Sequence, residues 1–160
     1  MFSEDIKKGF PTLVNNPELV YLDSAASTQT HQSVLERMEK YYTEQRCNVN
    51  RGDFKISQDV SADIEKARES FANLINAKPE QIMFTAGATE GLNMVADWCK
   101  DVPVIIITEA EHTANILPWI AQGRTVDNGR LVVLPVNDRG SLNYDECAKI
   151  FEKWPYALLS

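Results

Sequence analysis

Thr85-Ala86-Gly87-Ala88-Thr89-Glu90-Gly91-Leu92-Asn93 stands between a short apolar stretch and an amphipathic segment, and Glu111-His112 follows the next apolar run. Gln81 to Thr85 reads as a short strand. Gly87 to Lys100 reads as a helix with Leu92, Val95, Ala96 and Cys99 on one face. Strand, glycine-containing turn and helix make a generic phosphate site, because the first helical N–H groups lack internal acceptors and carry partial positive charge. Gly87 permits close backbone approach, and Thr89 adds a hydroxyl. The same residues also suit a purely structural role: Gly87 turning the chain, Thr89 capping the helix and Glu90 favoured in the first turn by the helix dipole. The turn alone does not choose between the two.

Outward from this turn the pattern alternates. Val102 to Thr108 is β-branched and too short for a buried helix; Ala114 to Gln122 reads as helix and Arg130 to Val136 as strand. Asp138-Arg139-Gly140 makes a turn, Asn143 to Lys153 a helix, and Tyr156 to Ser160 one more strand. On the N-terminal side, Val34, Leu35, Met38, Tyr41 and Tyr42 keep helical spacing, as do Val60, Ile64, Ala67, Phe71, Leu74 and Ile75. Between those helices Cys47-Asn48-Val49-Asn50-Arg51-Gly52-Asp53-Phe54 is a loop whose Asn, Gly and Asp content favours turns and positive φ. Alternating strands and helices predict an α/β layer fold with a mostly parallel sheet. Such a sheet is buried on both faces, and the last strand has no covering helix, so the architecture is expected to be interrupted at Ser160.

Composition narrows the functional classes. A chain of 160 residues is long enough for one domain with a real core. With 16 basic and 23 acidic residues the formal charge is -7, which opposes the phosphate attraction that nucleic-acid binders rely on. No nucleic acid is expected as a partner. The longest apolar run, near Val104 to Ile107, is far short of a membrane span, and charges occupy the place of a signal peptide's apolar core. The expectation is a cytoplasmic protein with no membrane association. Cys47, Cys99 and Cys147 are odd in number and widely spaced, and only His31 and His112 accompany them, so neither a disulfide framework nor a metal site is expected.

His112 adds weight to the phosphate reading. If the sheet is parallel, this residue lies past a strand's carboxyl end, on the edge where α/β proteins bind ligands and where the Gly87 turn is also expected. An imidazole stacks on planar rings and moves protons near neutral pH. The alternative is a histidine satisfied by Glu109 or Glu111.

Four segments in order then carry a resemblance: Tyr21-Leu22-Asp23-Ser24-Ala25-Ala26-Ser27, Asn50-Arg51-Gly52, Gly87 to Asn93, and Glu111-His112-Thr113-Ala114-Asn115-Ile116-Leu117-Pro118-Trp119. Together they resemble the class V, fold-type I aminotransferase-like enzymes, and most of all the cysteine desulfurases of the SufS/CsdA type. Each piece is weak alone; their order across most of the chain is specific. The resemblance implies a pyridoxal 5'-phosphate (PLP) enzyme that converts L-cysteine to L-alanine and leaves sulfur as a persulfide on an enzyme cysteine, for iron–sulfur clusters or other sulfur supply. It implies a homodimer and a sulfur-acceptor protein as partners. The 160 residues would be an N-terminal segment plus part of the large PLP-binding domain, with the rest of that domain and the C-terminal domain absent.

Carried over by position, Ala88 and Thr89 would contact the cofactor phosphate through backbone and hydroxyl groups, and His112 would stack on the pyridine ring and assist proton transfer. Ala25 and Ala26 would lie near substrate, and Arg51 at the active-site loop or subunit boundary. Asn115, Pro118 and Trp119 are expected to pack behind His112. The family often has His at the positions of Asn50 and Lys55, which leaves room for a related class V reaction: selenocysteine lyase, kynureninase or an epimerase. Its Schiff-base lysine, the aspartate on the pyridine nitrogen, a further phosphate-binding Ser/His set, the substrate-carboxylate arginine and the persulfide cysteine would fall beyond Ser160, leaving these 160 residues inactive alone. Lys55, Lys100 and Lys149 read as solvated charges, Cys99 and Cys147 as packing, and Cys47 falls in the wrong part of the pattern for the sulfur acceptor. A non-catalytic reading also stands: a small α/β module binding a phosphate-bearing ligand or a protein partner through the same helix N-terminus.

Overall fold

The computed structural model describes residues 4–160, and the chain divides after Ile82 into two compact units. In the first, α1 (Glu4–Lys7) and α2 (Pro11–Asn15) precede α3 (Gln32–Lys40), which runs on into a π-helical turn at Tyr41–Gln45. A long α4 (Lys55–Leu74) and a 3-10 turn at Pro79–Gln81 complete it. The periodic apolar residues place α3 and α4 correctly; α1 and α2 are too short to show a period. Arg37 holds the two long helices together, donating to Asp63 on α4 at 3.0 Å and to Gln45 at 2.9 Å. Ahead of α3, the Gln32 N–H donates to the Gly9 carbonyl at 2.7 Å, and the His31 ring sits so close that a Cβ on Gly9 would fall 2.3 Å from its Nε2.

The loop between α3 and α4 is fixed against α4 as well as rich in turn residues. Asn50 has φ 60° and its N–H donates to Ser61 Oγ, while the buried Ser57 hydroxyl donates to the Asn48 carbonyl. Gly52 is needed for proximity: its Cβ would lie 2.5 Å from the Phe54 ring and 2.9 Å from Ser57.

The second unit contains α5 (Ala88–Trp98), β1 (Ile105–Thr108), α6 (Thr113–Ala121), β2 (Leu131–Leu134), α7 (Tyr144–Lys153) and β3 (Leu158–Leu159). The sheet has the order β2-β1-β3 and both pairings are parallel, with Ile105 opposite Leu131 and Leu158. Ile105 and Ile107 pack with Ala96, Trp119 and Leu131; on the opposite face Val104 and Ile106 pack with Leu134 and Cys147. Hence α5 and α6 cover one face of β1 and α7 the other. A strand buried on both sides has no need of polar alternation, which is why Val102 to Thr108 reads as an unbroken β-branched run. Each buried isoleucine contributes about 1.5–3 kcal/mol of transfer free energy.

One expected strand is absent. Gln81 ends the 3-10 turn, and Ile82 to Thr85 joins no ladder among the described residues, although Ile82 itself is extended at φ -98°, ψ 126°. Extended backbone becomes a strand only beside a neighbour that takes its hydrogen bonds, and the described three-stranded sheet offers it none. The remaining predicted strands and helices of this unit are present, with ends trimmed or, in α6, shifted by one residue. The Asp138–Gly140 turn has Gly140 at φ 74° and is closed by Asn137 Oδ1, which accepts from Arg139 and Ser141 N–H. Among the described residues no helix is long and apolar enough to cross a membrane.

Arg124, fully buried, joins the end of α5 to the start of β1. It donates to the carbonyls of Lys100 at 2.8 Å and Val102 at 2.7 Å, more distantly to Cys99 and Pro103, and through Nε to Gln122 Oε1 at 3.1 Å. The carbonyls at a helix C-terminus carry partial negative charge, so a guanidinium belongs there. Burial pushes its pKa below the ordinary arginine value, and nearby Arg130 adds to the shift.

Candidate functional site

The N-terminus of α5 presents unclaimed donors. Its N-cap, Gly87, is in extended backbone at φ 164° and has no side-chain cap. Glu90 reaches back to accept from the Ala86 N–H, and Gly91 N–H returns to the Gly87 carbonyl at 3.1 Å. This leaves the N–H groups of Ala88, Thr89 and Glu90 with no acceptor among the described residues. Thr89 stands in the first turn and does not cap the helix, so its hydroxyl is available at the same exposed end. A Cβ built on Gly87 would meet nothing within 4 Å. The space over this turn is open to a ligand, and Gly87 is there for neither strain nor protein packing.

His112 is the N-cap of α6. Its Nδ1 accepts from the Ala114 N–H at 3.1 Å, which places the proton of the neutral ring on Nε2. Neither glutamate satisfies it. Glu109 accepts from the Val136 N–H, and Glu111 accepts from the Thr108 hydroxyl and from Asn115 Nδ2, each at 2.9 Å. Asn115, Pro118 and Trp119 are buried behind the exposed ring, in the packing role expected for them.

The two helix starts open the same way. Gln122, at the C-terminal end of α6, donates to the Ala96 carbonyl near the end of α5 at 2.7 Å, and α5 leads into the start of β1 while α6 leaves its end. Ala88, Thr89 and His112 therefore face one end of the pair, past the carboxyl end of β1. This end combines anion-binding N–H groups with an imidazole whose Nε2 points away from its own helix, a suitable pair for a phosphate-bearing ring.

Ala25, Ala26 and Arg51 lie in the first unit, all exposed. Ala25 and Ala26 sit in a turn in which Ala26 and Ser27 N–H both return to the Asp23 carbonyl, and Tyr21 OH closes it by donating to the Ser27 carbonyl. Beside that turn, Tyr21, Ser24 and Thr28 help line a cavity of about 550 Å³ with Phe10 and Leu19. Cys147 is buried, Cys99 half-buried against the α5–α6 face, and Cys47 half-buried in its loop. Among the described residues no three acidic, His or Cys side chains gather as a metal site.

Sequence reasoning missed the roles of Thr108, Glu111, Ser160 and Arg124. Only Arg124 left a signal, as a basic residue shortly after a helix; the others depend on contacts across elements that sequence spacing does not encode.

A parallel sheet with helices on both faces and two helix N-termini at its carboxyl edge defines an α/β protein built to bind a ligand at that edge. The family model described as aminotransferase class V matches residues 20–158, and the chain belongs to this family. The cysteine desulfurase of Cronobacter sakazakii is 38% identical over 160 residues, with 94% of this chain and 39% of that protein covered. The apo structure of cysteine desulfurase from Thermococcus onnurineus NA1 superposes with TM-score 0.78 at 33% identity, over 93% of this chain and 37% of that one. A C-DES variant with glycine covalently linked to its PLP cofactor superposes with TM-score 0.70 at 21% identity, covering 94% and 38%, a likeness of fold alone. The chain spans under two-fifths of the length of each of these proteins.

Proposed function

We propose that this chain supplies the phosphate-binding turn and the ring-facing histidine of a PLP-dependent cysteine desulfurase. The observation that carries this reading is the unclaimed N–H cluster of Ala88, Thr89 and Glu90, at the same sheet edge as His112 in a chain of the class V family. The residues present fit the phosphate end of the cofactor: an oxygen-rich dianion takes the place of the missing acceptors and meets the positive end of α5. Once held, PLP supplies an electron sink for bond cleavage at an amino acid. Ala88 and Thr89 would anchor it by N–H groups and hydroxyl, and His112 would face its ring and hold or give a proton at Nε2 while Nδ1 stays on the Ala114 N–H. By the resemblance, Ala25 and Ala26 would lie near substrate, and Arg51 at the active-site loop or the subunit boundary of a homodimer.

The reaction is L-cysteine plus an enzyme thiol to L-alanine plus a persulfide on that thiol, from which a sulfur-acceptor protein is loaded. The thiol and the cofactor-holding lysine belong to sequence outside these residues, so the 160-residue chain alone does not turn over. The test is to titrate the intact protein with PLP, following absorbance, and to assay alanine from L-cysteine. Binding that weakens at least about tenfold in Thr89→Val and Gly87→Val is expected; PLP binding unaffected by both removes the assignment. A second reading keeps the cofactor and changes the substrate. Asn50, in the left-handed region, and Lys55 stand where the resemblance expects His, so selenocysteine and kynurenine are to be assayed beside cysteine.

A further inference from the structure

Hydrogen bonds in the second unit converge on one carboxylate, that of Glu111. The Trp119 indole Nε1–H can only donate, and it donates to Ser160 Oγ at 3.2 Å. Ser160 gives its own hydroxyl proton to Asn115 Oδ1, at 2.6 Å. A carboxylate only accepts, so Asn115 turns its Nδ2 to Glu111 Oε2 at 2.9 Å and its Oδ1 to Ser160, while Thr108 Oγ1 donates to Glu111 Oε1 at 2.9 Å. Every donor in the chain points toward one carboxylate, an arrangement in which each bond polarises the next. Both carboxylate oxygens are used, one on the end of β1 and one on the first turn of α6, so Glu111 spans the connection that delivers His112. The next residue is His112, whose carbonyl accepts from the Asn115 N–H at 2.8 Å and whose ring accepts from Ala114.

We infer that Glu111 is a positioning residue for His112: the clamp Thr108–Glu111–Asn115, backed by Ser160 and Trp119, holds the α6 N-terminus so that Nδ1 stays on the Ala114 N–H and Nε2 is left facing outward with the proton. The inference rests on the proposed role of His112 at the ring. It is nonetheless a statement about this chain's own hydrogen bonds, so it is tested without cofactor.

The experiment is ¹⁵N NMR of the intact apo protein labelled at histidine, with His112 signals assigned by their loss in His112→Gln and His31 as the internal reference. Wild-type protein is expected to show His112 as the Nε2–H tautomer with a protected Ala114 amide. Glu111→Ala is expected to move the His112 ring nitrogens toward the average of a free imidazole and to speed Ala114 exchange by about tenfold or more, with His31 unmoved. Glu111→Gln keeps an acceptor at the same place and is expected to retain most of the wild-type pattern, because Thr108 can turn its hydroxyl to match. Thr108→Val removes one donor with little change of shape. It is expected to shift His112 in the direction of Glu111→Ala but less, and with Glu111→Gln it decides the matter if Glu111→Ala does not fold. Ring signals unchanged in Glu111→Ala, or in Thr108→Val where that variant must stand in, overturn the inference even if melting temperature falls. Failure of PLP to bind leaves these signals as they are and counts only against the cofactor reading.

Discussion

Arg124 keeps a full charge in the interior because its acceptors are five uncharged oxygens already arranged around it, four of them backbone carbonyls. Removing it leaves those carbonyls facing an apolar gap, and an unmade hydrogen bond from a charged donor costs more than a neutral one. Arg124→Met is expected to lose about 2–4 kcal/mol of stability by urea unfolding. Arg124→Lys should recover only part of that, since an ammonium lacks the planar fork that serves separate carbonyls. The shift of its pKa is downward, through burial first, so the folded state binds this proton less firmly than the unfolded one. Any stability gained from that shift comes only as pH rises into the arginine range. Between about pH 5 and 9 the guanidinium is charged in both states, so Arg124 adds no slope to stability there. The glycines make a second test at this scale. Gly9→Ala drives a methyl into the His31 ring and should cost about 1–3 kcal/mol through displaced packing and a disturbed α3 cap. Gly87→Ala meets open space and should stay within about 1 kcal/mol of wild type; a large loss there would mean the turn is a structural device rather than a ligand cradle.

At the scale of elements, β1 governs the second unit: it is the middle strand, and its two sets of side chains enter opposite layers of the core. Ile106 is 1% exposed. Ile106→Ala is expected to cost about 2–4 kcal/mol and Ile106→Val about 1 kcal/mol, measured by denaturant midpoint with an unchanged slope. This strand was legible because hydrophobic density and β-branching belong to the residues themselves. The stretch from Ile82 to Thr85 carries similar residues and forms no strand, because a ladder depends on a neighbour that sequence does not supply. The site divides the same way. Thr89, Ala88 and His112 lie at element starts, which turn residues and periodicity mark, so their positions are legible. The Glu111 clamp joins a strand end, a helix turn and Ser160, a contact across 45 positions between Asn115 and Ser160, and no local pattern announces it.

Taken as a whole molecule, the chain exposes more large apolar side chains than a self-sufficient module keeps. Leu22 is 89% exposed, Leu74 79% and Trp98 64%, while its charge of -7 favours staying dispersed. Single exposed apolar residues are ordinary; many on one small chain mark surfaces made to be covered. The relatives it matches are more than twice as long. The 160-residue chain alone is therefore expected to raise the fluorescence of a hydrophobic dye and to aggregate with concentration, while a longer protein containing it stays dye-silent. Isolated-chain sedimentation as a dye-silent monomer with cooperative unfolding would instead favour the small binding module. Assaying the same two samples for alanine from L-cysteine separates the remaining cases: turnover by the longer protein only fits a catalytic site shared between these residues and others, and turnover by the isolated chain defeats that division of labour.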